Sequence, residues 1–541
     1  MAVAGSGSLS QVTVVGAGIS GLSAAYRIRE LAPQCKLTVL EAQNRLGGVI
    51  QTIHLQGYQI ELSADNFITT LPWALELCGR LGLSDQLVQT NPACRRTFVV
   101  HRGRLHPLPE GFLMMAPSRW WPLVVTPLLT PLGKLRAAME YFLPPRRQGG
   151  DESVAQFARR RFGRQAYERL IEPLVSAVYG ADLEKLSLEA TLGRFRQMEL
   201  QYGSLIRAMR SLARQRRSGT VEPSSGSPSA PLESDSASDA GFQAAHSLST
   251  YQSGSSRQST LDQTVTTRTG TVNQGASPAA TPESGARYSM FVTLRDGLSS
   301  LIEALARSLP HGTFHLQTPV EALHRLPDGT WQLQLGGPKA GHVLSADAVL
   351  LAVPAHAASK LLQIVDPPLA RLLAEIPYTG TAIVAMAFDQ AQVGHPLDGM
   401  GAVIPAKENS PLLAISFSNR KYPHRAPVGK VLLRSFLGGA AHPELLDLDD
   451  QQLREVVLSE LRRLLLIQGQ PSLELIARWP ASMPQYPVGH KDRLVEIRRR
   501  LERLPGLALA GNAYQGIGLP DCIHTAQQAA EGLLRQLGLG T

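Results

Sequence analysis

Three glycines near the start of the chain are the residues whose spacing most clearly indicates chemistry. Gly16, Gly18 and Gly21 form a Gly-x-Gly-x-x-Gly pattern directly after the apolar residues 12–15. In a strand–turn–helix unit the first glycine allows a tight turn, the second lets a pyrophosphate approach, and the third lets helix and strand pack closely. The helix N-terminus offers its free N–H groups to the anion. The pattern therefore predicts a dinucleotide-binding turn.

A second apolar run and a second glycine pair follow this turn. Residues 37–40 lead into Glu41, which lies twenty positions after the last of the three glycines. An acid at the tip of the second strand accepts hydrogen bonds from ribose hydroxyls, which favours FAD or NAD over a cofactor with a 2′-phosphate. Arg45 and the pair Gly47-Gly48 come next. Because this extension resembles that of the amine-oxidase-like flavoproteins, the cofactor is predicted to be FAD.

Composition indicates a globular chain with more than one domain. The chain has 541 residues, of which 43% are apolar, enough for large cores. Lys and Arg number 53 against 44 Asp and Glu, a net charge of +9, with arginine runs at 159–161 and 498–500. Most of these arginines are expected on solvated helix faces, and a minority could steer an anionic substrate or contact acidic lipid. No nucleic-acid recognition motif accompanies the charge, so nucleic acid is not an expected partner.

The cysteines and the N-terminus bear on the compartment. Cys35, Cys78, Cys94 and Cys522 show no Cys-x-x-Cys spacing, so neither a zinc site nor a disulfide framework is predicted. That pattern suits a reducing compartment and predicts a cytoplasmic location. Residues 1–10 lack the basic and apolar regions of a secretory signal.

No segment has the roughly eighteen uninterrupted apolar residues of a membrane-spanning helix. The nearest candidate, residues 120–129, is short and contains two prolines. Its two tryptophans leave open a peripheral contact with the inner face of a membrane, or the mouth of an apolar pocket. The preferred interpretation is a buried loop at the start of a helical region.

Residues 218–286 differ from the rest of the chain in composition. They include 16 Ser and 9 Thr in 69 residues, and only seven large apolar residues. Such a segment cannot bury a core, so it is predicted to be a disordered low-complexity insertion at the surface. It interrupts a domain, because helical periodicity precedes it and the strand-like residues 291–294 follow it.

The remaining periodicity separates helical from strand-like regions. Residues 151–216 have helical spacing, whereas 313–351 contain several short strands with a hairpin turn at Asp328-Gly329. The latter strands are expected to complete the dinucleotide-binding domain. A third set, predicted for the sheet of a substrate domain, comprises 382–388, 412–418 and 431–437.

The C-terminal region carries a second glycine turn. Residues 507–512 are predicted to be a strand ending in this turn, and a helix is expected from Cys522 to Leu534 with Asp521 as its N-cap. A helix N-terminus beside the pyrimidine ring of a flavin would stabilise negative charge on the reduced form. Cys522 is interpreted as a packed thiol, with a covalent flavin link as the alternative.

Several segments together resemble the flavin-dependent porphyrinogen oxidases of haem biosynthesis, a group within the amine-oxidase-like flavoproteins. Besides the glycine turn, the segments are 61–66, 104–109, 294–298, and 484–490 ahead of Gly511-Asn512. The Leu-His-Pro-Leu-Pro and Pro-Gln-Tyr-x-x-Gly-His sequences are the most discriminating. The resemblance covers nearly all of the chain except 218–286.

The resemblance implies an α/β fold with a split Rossmann-like FAD-binding domain, a sheet-based substrate domain and a helical domain. The predicted FAD-binding domain comprises 1–90, 290–370 and 475–541, the substrate-binding domain 91–105 and 371–474, and the helical domain 106–217. The implied FAD contacts are Gly16, Ala17, Gly18, Ile19, Ser20, Gly21, Glu41, Ala42, Arg45, Gly48, Val49, Ser63, Ala64, Asp65, Asn66, Val320, Trp479, Ile517, Gly518 and Leu519. Neither a catalytic residue nor a metal site is predicted, and the oligomeric state is left open.

The implied reaction removes six electrons and six protons from a porphyrinogen in three two-electron steps, with dioxygen as the acceptor. Some family members that oxidise protoporphyrinogen IX have an arginine where this chain has Thr97. Because of this departure and the lack of a clear membrane-spanning segment, coproporphyrinogen III is the predicted substrate and protoporphyrinogen IX the alternative. Candidate replacements for the carboxylate anchor are Arg95, Arg96, Arg102 and Arg104.

Two further functions stay open. A flavin amine oxidase or a carotenoid desaturase would use the same fold, although the C-terminal helix lacks the Ser-Gly ending common in amine oxidases. A flavin-binding protein without turnover is the other alternative.

Overall fold

A computed structural model of the protein describes residues 10–117, 119, 121–147, 149–218 and 291–539. The insertion predicted for 218–286 lies, apart from Ser218, outside these described residues.

A five-stranded parallel sheet is assembled from three distant parts of the chain. Its strands, in spatial order, are Phe314–His315, Lys36–Leu40, Gln11–Val15, Ala348–Leu351 and Leu507–Leu509. The helices Ile19–Leu31 and Leu519–Gln536 pack together over one face, where Val12, Val14 and Val39 are buried. The α/β class and the return of the chain to this sheet after residue 313 are confirmed. Parallel strands need long crossovers, so distant segments can meet in one sheet.

A second sheet has seven strands and is mostly antiparallel. Its strands, in spatial order, are Leu473–Pro484, Tyr378–Asp389, Lys430–Gly438, Leu412–Phe417, Gly399–Val403, Arg96–His101 and Arg104–Pro107. One face packs on the helix Asp450–Leu465 through residues such as Met386, Phe388 and Leu433. The other face, with Ala385 and Leu432, packs against the hairpin Thr52–Leu55 and Tyr58–Glu61. The three strands predicted for the substrate-domain sheet are confirmed.

The helical part of the fold lies in sequence after the strand Arg104–Pro107 and before the other five strands of the seven-stranded sheet. Its helices are Trp121–Val125, Pro131–Ala138, Val154–Phe162, Arg164–Ala166, Glu172–Tyr179, Leu188–Tyr202 and Leu205–Ser218, with 3₁₀ and π turns at Met139–Tyr141 and Tyr167–Ile171. Within its core the fully buried Arg161 and Glu140 form an ion pair. Glu140 also accepts the N–H groups of Leu205 and Ile206, so this buried carboxylate caps the last helix.

Smaller elements complete the fold. One three-stranded sheet consists, in spatial order, of Phe67–Ile68, Phe291–Leu294 and Leu87–Gln89. A second consists of Val320–Arg325, Trp331–Leu335 and Val343–Ala346. The strands Phe112–Leu113 and Ala116–Pro117 form a two-stranded sheet. The other α-helices are Trp73–Arg80, Ser299–Arg307, Ala355–Leu362, Pro367–Ala374, Ser418–Lys421 and His490–Leu501. Short 3₁₀ turns lie at Ser84–Gln86, Gly337–Lys339, Gln390–Gln392, Ala406–Glu408, Pro423–Arg425 and Pro443–Asp447.

Some local predictions can be compared directly with these elements. The turn at Asp328-Gly329 joins two antiparallel strands as predicted, and Gly329 has a φ of +91°. The strand Leu473–Pro484 runs across the predicted domain boundary at residue 475, and Arg104–Pro107 runs across the one after residue 105. The domain boundaries themselves stay predictions. Within the described residues, no helix is both long and apolar enough to cross a bilayer.

Candidate cofactor and substrate site

The three glycines of the first turn have different surroundings. Gly16 has a φ of +98°, and a Cβ there would lie 2.6 Å from the carbonyl oxygen of Ala352. A Cβ on Gly21 would overlap the Gly16 carbonyl oxygen. At Gly18, by contrast, a Cβ would meet only the Cα of Gly48, at 4.0 Å. Two glycines are therefore required by backbone packing, and the middle one leaves an open approach at the N-terminus of the helix Ile19–Leu31.

Glu41 lies at the tip of the second strand, beside this turn. Its carboxylate accepts the backbone N–H groups of Ala17 and Gln43, each at 2.8 Å. Its own carbonyl oxygen accepts the N–H of Thr318, two residues before Val320. Glu41 and Val320 are thus brought to one edge of the parallel sheet. A carboxylate has about four acceptor sites, so Glu41 keeps capacity for further donors.

The second glycine pair faces the first turn. The N–H of Gly47 donates to the carbonyl oxygen of Ala17 at 2.8 Å, and Gly48 has a φ of +59°. The Arg45 guanidinium donates to the carbonyl oxygens of Leu46 and Ile50, each at 3.2 Å. Arg45 therefore braces its own loop, while Val49, the residue after Gly48, is exposed.

Side chains from the seven-stranded sheet and the adjoining segment hold the turn at residues 62–66 by its carbonyl groups. The indole N–H of Trp479 donates to the carbonyl oxygen of Leu62 at 2.6 Å. The Arg434 guanidinium donates to the carbonyl of Ser63, and that of Arg425 to the carbonyl of Asp65 at 3.0 Å. These contacts fix the turn between the two sheets.

Beneath the turn lies a buried cluster of charges. The Asp65 carboxylate is 3.1 Å from the Lys421 ammonium and 3.4 Å from the Arg434 guanidinium. Burial alone would raise the pKa of Asp65, but Lys421, Arg434 and Arg425 outweigh that effect and hold the pKa well below its usual value. Burial raises the pKa of Glu61, against the opposing effect of Arg425 at 3.4 Å. Three cations thus face two carboxylates, which favours negative charge nearby.

Several buried hydroxyls have no hydrogen-bond partner among the described residues. They include the Ser63 Oγ, on the clamped turn, and the Tyr514 Oη, which lies elsewhere, on the segment after the C-terminal glycine turn. Leaving such groups unsatisfied costs about 1–3 kcal/mol each. A ligand with hydrogen-bonding ring atoms, such as an isoalloxazine, would suit the Ser63 hydroxyl, and the open approach at Gly18 would suit a pyrophosphate.

The C-terminal helix starts earlier than predicted. It spans Leu519–Gln536 and its N-cap is Gly518, so the prediction of Asp521 as N-cap is wrong. Pro520 favours the first helical turn because the missing N–H costs nothing there. Asp521 lies in that turn, beneath Gly516, and burial raises its pKa to about 6. Burial raises the pKa of Cys522 to about 12, so little reactive thiolate is present at neutral pH.

The Pro-Gln-Tyr-x-x-Gly-His segment connects this turn to the helical region. Tyr486 stacks on His490 with ring centroids 4.2 Å apart, and its hydroxyl donates to the carbonyl of Asn512. Its own carbonyl accepts the N–H of Ser187 at 2.7 Å. Burial lowers the pKa of His490 to about 4, so the ring is neutral at physiological pH. This connecting role could not be seen from the sequence, where the segment stood out only by resemblance.

The arginines considered as carboxylate anchors lie on or beside the last two strands of the seven-stranded sheet. Arg96 is exposed and pairs with Asp398 at 2.7 Å. Arg102 and Arg104 are exposed at and after a turn, whereas Arg95 is half-buried. The structure does not bring Arg96, Arg102 or Arg104 to the clamped turn.

Comparisons with known proteins agree with this geometry. A family model for flavin-containing amine oxidoreductases matches residues 19–534. The chain is 32% identical to a coproporphyrinogen III oxidase of Bacillus subtilis, over 97% of this chain and 98% of that protein. It is 34% identical to a coproporphyrinogen III oxidase of Propionibacterium freudenreichii, over 97% and 90%. A chloroplastic protoporphyrinogen oxidase of Nicotiana tabacum is 30% identical, over 96% and 84%.

Solved structures show the same fold. A protein provisionally named protoporphyrinogen oxidase from Exiguobacterium superimposes with a TM-score of 0.77 at 28% identity, over 98% of this chain and 99% of that one. A reduced UDP-galactopyranose mutase has a TM-score of 0.65 at 15% identity, over 98% and 96%, and shares the fold alone. The chain belongs to the flavin-containing amine oxidoreductases and, within them, to the porphyrinogen oxidases, and its cofactor is FAD.

Proposed function

We propose that this protein oxidises coproporphyrinogen III to coproporphyrin III with dioxygen as electron acceptor. The observation that carries the proposal is the match, over nearly the full length of both chains, to two bacterial coproporphyrinogen III oxidases at 32% and 34% identity. Protoporphyrinogen IX is the second candidate substrate, because the plant protoporphyrinogen oxidase is 30% identical.

We assign the predicted contact residues to two parts of FAD. The residues proposed to hold the pyrophosphate, ribose and adenine are Gly16, Ala17, Gly18, Ile19, Ser20, Gly21, Glu41, Ala42, Arg45, Gly48, Val49 and Val320. Those proposed for the isoalloxazine are Ser63, Ala64, Asp65, Asn66, Trp479, Ile517, Gly518 and Leu519. The open approach at Gly18 and the unpaired Ser63 hydroxyl support this division.

Bound FAD would supply two-electron redox chemistry between the porphyrinogen and dioxygen. The protein contributes position and charge. The clamp formed by Trp479, Arg434 and Arg425 holds the turn in place. The cations around Asp65 and the N-terminus of the helix Leu519–Gln536 favour negative charge beside the turn.

Turnover with a defined stoichiometry tests this function. Complete oxidation removes six electrons and six protons, so each porphyrin formed should consume three O₂ and release three H₂O₂. We expect coproporphyrin fluorescence to appear with that ratio, measured with an oxygen electrode and a peroxide assay. If neither porphyrinogen yields a porphyrin, this function is wrong. The alternatives are then a flavin amine oxidase, a desaturase and a flavin-binding protein without turnover.

We propose in addition that the protein is cytoplasmic and contacts the inner face of the membrane through an apolar patch. The patch consists of Trp121, Val124, Val125, Leu132, Leu135, Met139 and Phe142, which are between 47% and 79% exposed. Lys134 on the second helix donates to the Val124 carbonyl of the first at 2.5 Å, so the two apolar stripes are adjacent. Contiguous exposed apolar surface of this kind marks an interaction site.

Charge favours an anionic lipid surface as the partner of the patch. Residues 106–217 contain 18 Lys and Arg against 10 Asp and Glu, a net charge of +8 that is most of the +9 of the whole chain. Each Lys or Arg near an anionic bilayer contributes about 1 kcal/mol. We expect co-sedimentation with phosphatidylglycerol vesicles but little with phosphatidylcholine vesicles. The double variant Trp121→Glu/Phe142→Glu should lose binding, and Ile364→Glu, at an exposed apolar residue elsewhere, should keep it. Equal binding by both variants would contradict the proposal.

A further inference from the structure

Gln485 and the residue after it join three parts of the fold. The amide nitrogen of Gln485 donates to the carbonyl oxygen of Tyr179 at 3.3 Å, in the helical region, and to the Thr379 hydroxyl at 3.1 Å, in the seven-stranded sheet. The next residue, Tyr486, donates through its hydroxyl to the Asn512 carbonyl at the C-terminal glycine turn. Ligand pockets form preferentially where domains meet, so polar groups left open at this junction are candidates for a substrate contact.

The amide oxygen of Gln485 is one such open group. The amide nitrogen has protein acceptors around it, the two above and the carbonyls of Met483 and Pro484 at 3.3 and 3.5 Å. The nitrogen therefore faces the protein, which turns the oxygen of the planar amide away from these acceptors. Within the part of the chain that the structure describes, this oxygen accepts no hydrogen bond and, unlike the Ser63 Oγ, it is not buried. An amide oxygen has two lone pairs, so it is free to accept N–H donors.

The hydroxyl of Thr381 is a second open group close to the first. A Cβ on Gly180 would lie 3.8 Å from the Thr379 Oγ1 and 3.8 Å from the Thr381 Cγ2, so both threonine side chains face Gly180. The Thr381 methyl group makes this contact, whereas its hydroxyl has no hydrogen-bond partner among the described residues and is not buried. Thr379 thus lies next to Thr381 at Gly180 and bonds directly to the amide of Gln485.

Both open groups adjoin segments proposed for the isoalloxazine. Thr381 pairs across the seven-stranded sheet with Trp479, whose indole N–H donates to the Leu62 carbonyl at 2.6 Å in the clamped turn. Gln485 precedes Tyr486, which holds the C-terminal glycine turn. Each acceptor is therefore one residue contact away from a segment assigned to the flavin.

We propose that the Thr381 hydroxyl and the Gln485 amide oxygen accept hydrogen bonds from pyrrole N–H groups of the porphyrinogen and hold the macrocycle beside the flavin. This inference rests on the proposed function. A porphyrinogen has four pyrrole N–H donors at its centre, which acceptors of this kind match. Coproporphyrinogen III and protoporphyrinogen IX share these four donors and differ in their peripheral substituents. The two acceptors therefore bind the ring that both substrates have in common and do not select between them.

Thr381→Val tests the hydroxyl while keeping the methyl group that faces Gly180. The FAD-loaded enzyme is first reduced with dithionite, so that no turnover occurs, and the Kd of coproporphyrinogen III is measured by anaerobic titration calorimetry. We expect this Kd to rise about threefold to tenfold in Thr381→Val, the range for one neutral hydrogen bond. It should stay near the wild-type value in Thr381→Ser, which keeps the hydroxyl. The Kd of protoporphyrinogen IX should rise by the same factor in Thr381→Val.

Gln485→Met tests the amide, and Gln392→Met is its matched control. Gln392 is also half-buried and donates to two backbone carbonyls, those of Gln468 and Gln470 at 3.1 Å each, beyond the far end of the strand Tyr378–Asp389. Both variants should lower the Tm, because each loses hydrogen bonds within the protein. Only Gln485→Met should raise the Kd of both porphyrinogens, again about threefold to tenfold. The Kd for FAD should stay unchanged in every variant.

The outcomes separate this inference from the function on which it rests. If the wild type neither binds nor oxidises a porphyrinogen, the proposed function is wrong and the inference is wrong with it. If the wild type oxidises coproporphyrinogen III, and Thr381→Val and Gln485→Met bind it as tightly as the wild type does, the function stands and the inference is refuted. A raised Kd for FAD with unchanged binding of the porphyrinogens would assign the two groups to the cofactor and refute the inference as well.

Discussion

Replacing Gly18 by valine should abolish FAD binding without unfolding the protein. Gly18 has φ −71° and ψ −179°, an extended conformation that valine adopts without strain. A Cβ there would be 4.0 Å from the nearest atom outside its chain neighbours, the Cα of Gly48, which is an ordinary van der Waals contact. The added side chain would instead occupy the space proposed for the pyrophosphate. The substitution therefore acts on the ligand and not on the fold.

The size of the effect follows from the contacts that would be lost. A hydrogen bond to a charged group contributes about 1.5–3 kcal/mol, so losing two to the pyrophosphate costs about 3–6 kcal/mol. Each 1.4 kcal/mol is a factor of ten, so the Kd for FAD should rise about 10²-fold to 10⁴-fold. The apoprotein should keep its Tm, because surface substitutions without clashes change stability by less than about 0.5 kcal/mol.

The assay is titration of apoprotein with FAD by flavin fluorescence, together with thermal unfolding of the apoprotein. Gly21→Ala should damage the fold itself, since its Cβ would overlap the Gly16 carbonyl. Gly532→Ala is the control, because a Cβ there meets nothing within 4 Å. An unchanged Kd for FAD in Gly18→Val would refute the assignment of the glycine turn. A collapse of the apoprotein Tm would show that the loss came from unfolding.

Three further predictions concern charge, covalency and the insertion. Asp65→Asn removes the carboxylate that Lys421 and Arg434 share, so we expect the free energy of unfolding to fall by about 3–5 kcal/mol. Because the pKa of Asp65 is lowered on folding, this difference should be present at neutral pH and shrink as the pH falls below about 4. Equal denaturation curves at pH 7 would contradict a stabilising role for the buried charge cluster. Acid precipitation should release all FAD into the supernatant, as expected for a buried, protonated Cys522 thiol, and flavin in the pellet would show a covalent link. Replacing residues 220–284 with a short Gly-Ser linker should keep FAD content and turnover within about twofold, since closure entropy depends weakly on loop length; loss of FAD-loaded protein would show that the segment is part of the fold.

Local sequence signals predicted the parts of the site that depend on neighbouring residues. Gly16, Gly18 and Gly21 could be assigned distinct roles because a turn between strand and helix makes fixed demands on three nearby positions. The structure shows close backbone packing at Gly16 and Gly21, while the role of Gly18 toward a pyrophosphate stays a prediction. The strands around residues 382–388 and 431–437 were predictable for a similar reason, since buried runs of β-branched and aromatic residues are typical of strands.

The clamp on the turn at residues 62–66 could not be predicted. Arg434, Arg425 and Trp479 are more than 350 positions away in sequence and reach the turn only through the pairing of the seven-stranded sheet. No periodicity in a single chain encodes which distant cation meets which carbonyl. The error in the predicted helix start has a different cause. Asp521 fits the general preference for acids at N-caps, whereas Pro520 is the better signal for the first helical turn.

The central claim, that this flavoprotein oxidises porphyrinogens and prefers coproporphyrinogen III, is tested most directly by anaerobic rapid mixing. The purified, FAD-loaded enzyme is mixed with each porphyrinogen, and loss of the flavin absorbance is followed over time. We predict that both substrates bleach the flavin and that coproporphyrinogen III does so with the higher second-order rate constant at low salt. Faster bleaching by protoporphyrinogen IX would contradict the preference, and bleaching by neither would contradict the claim itself.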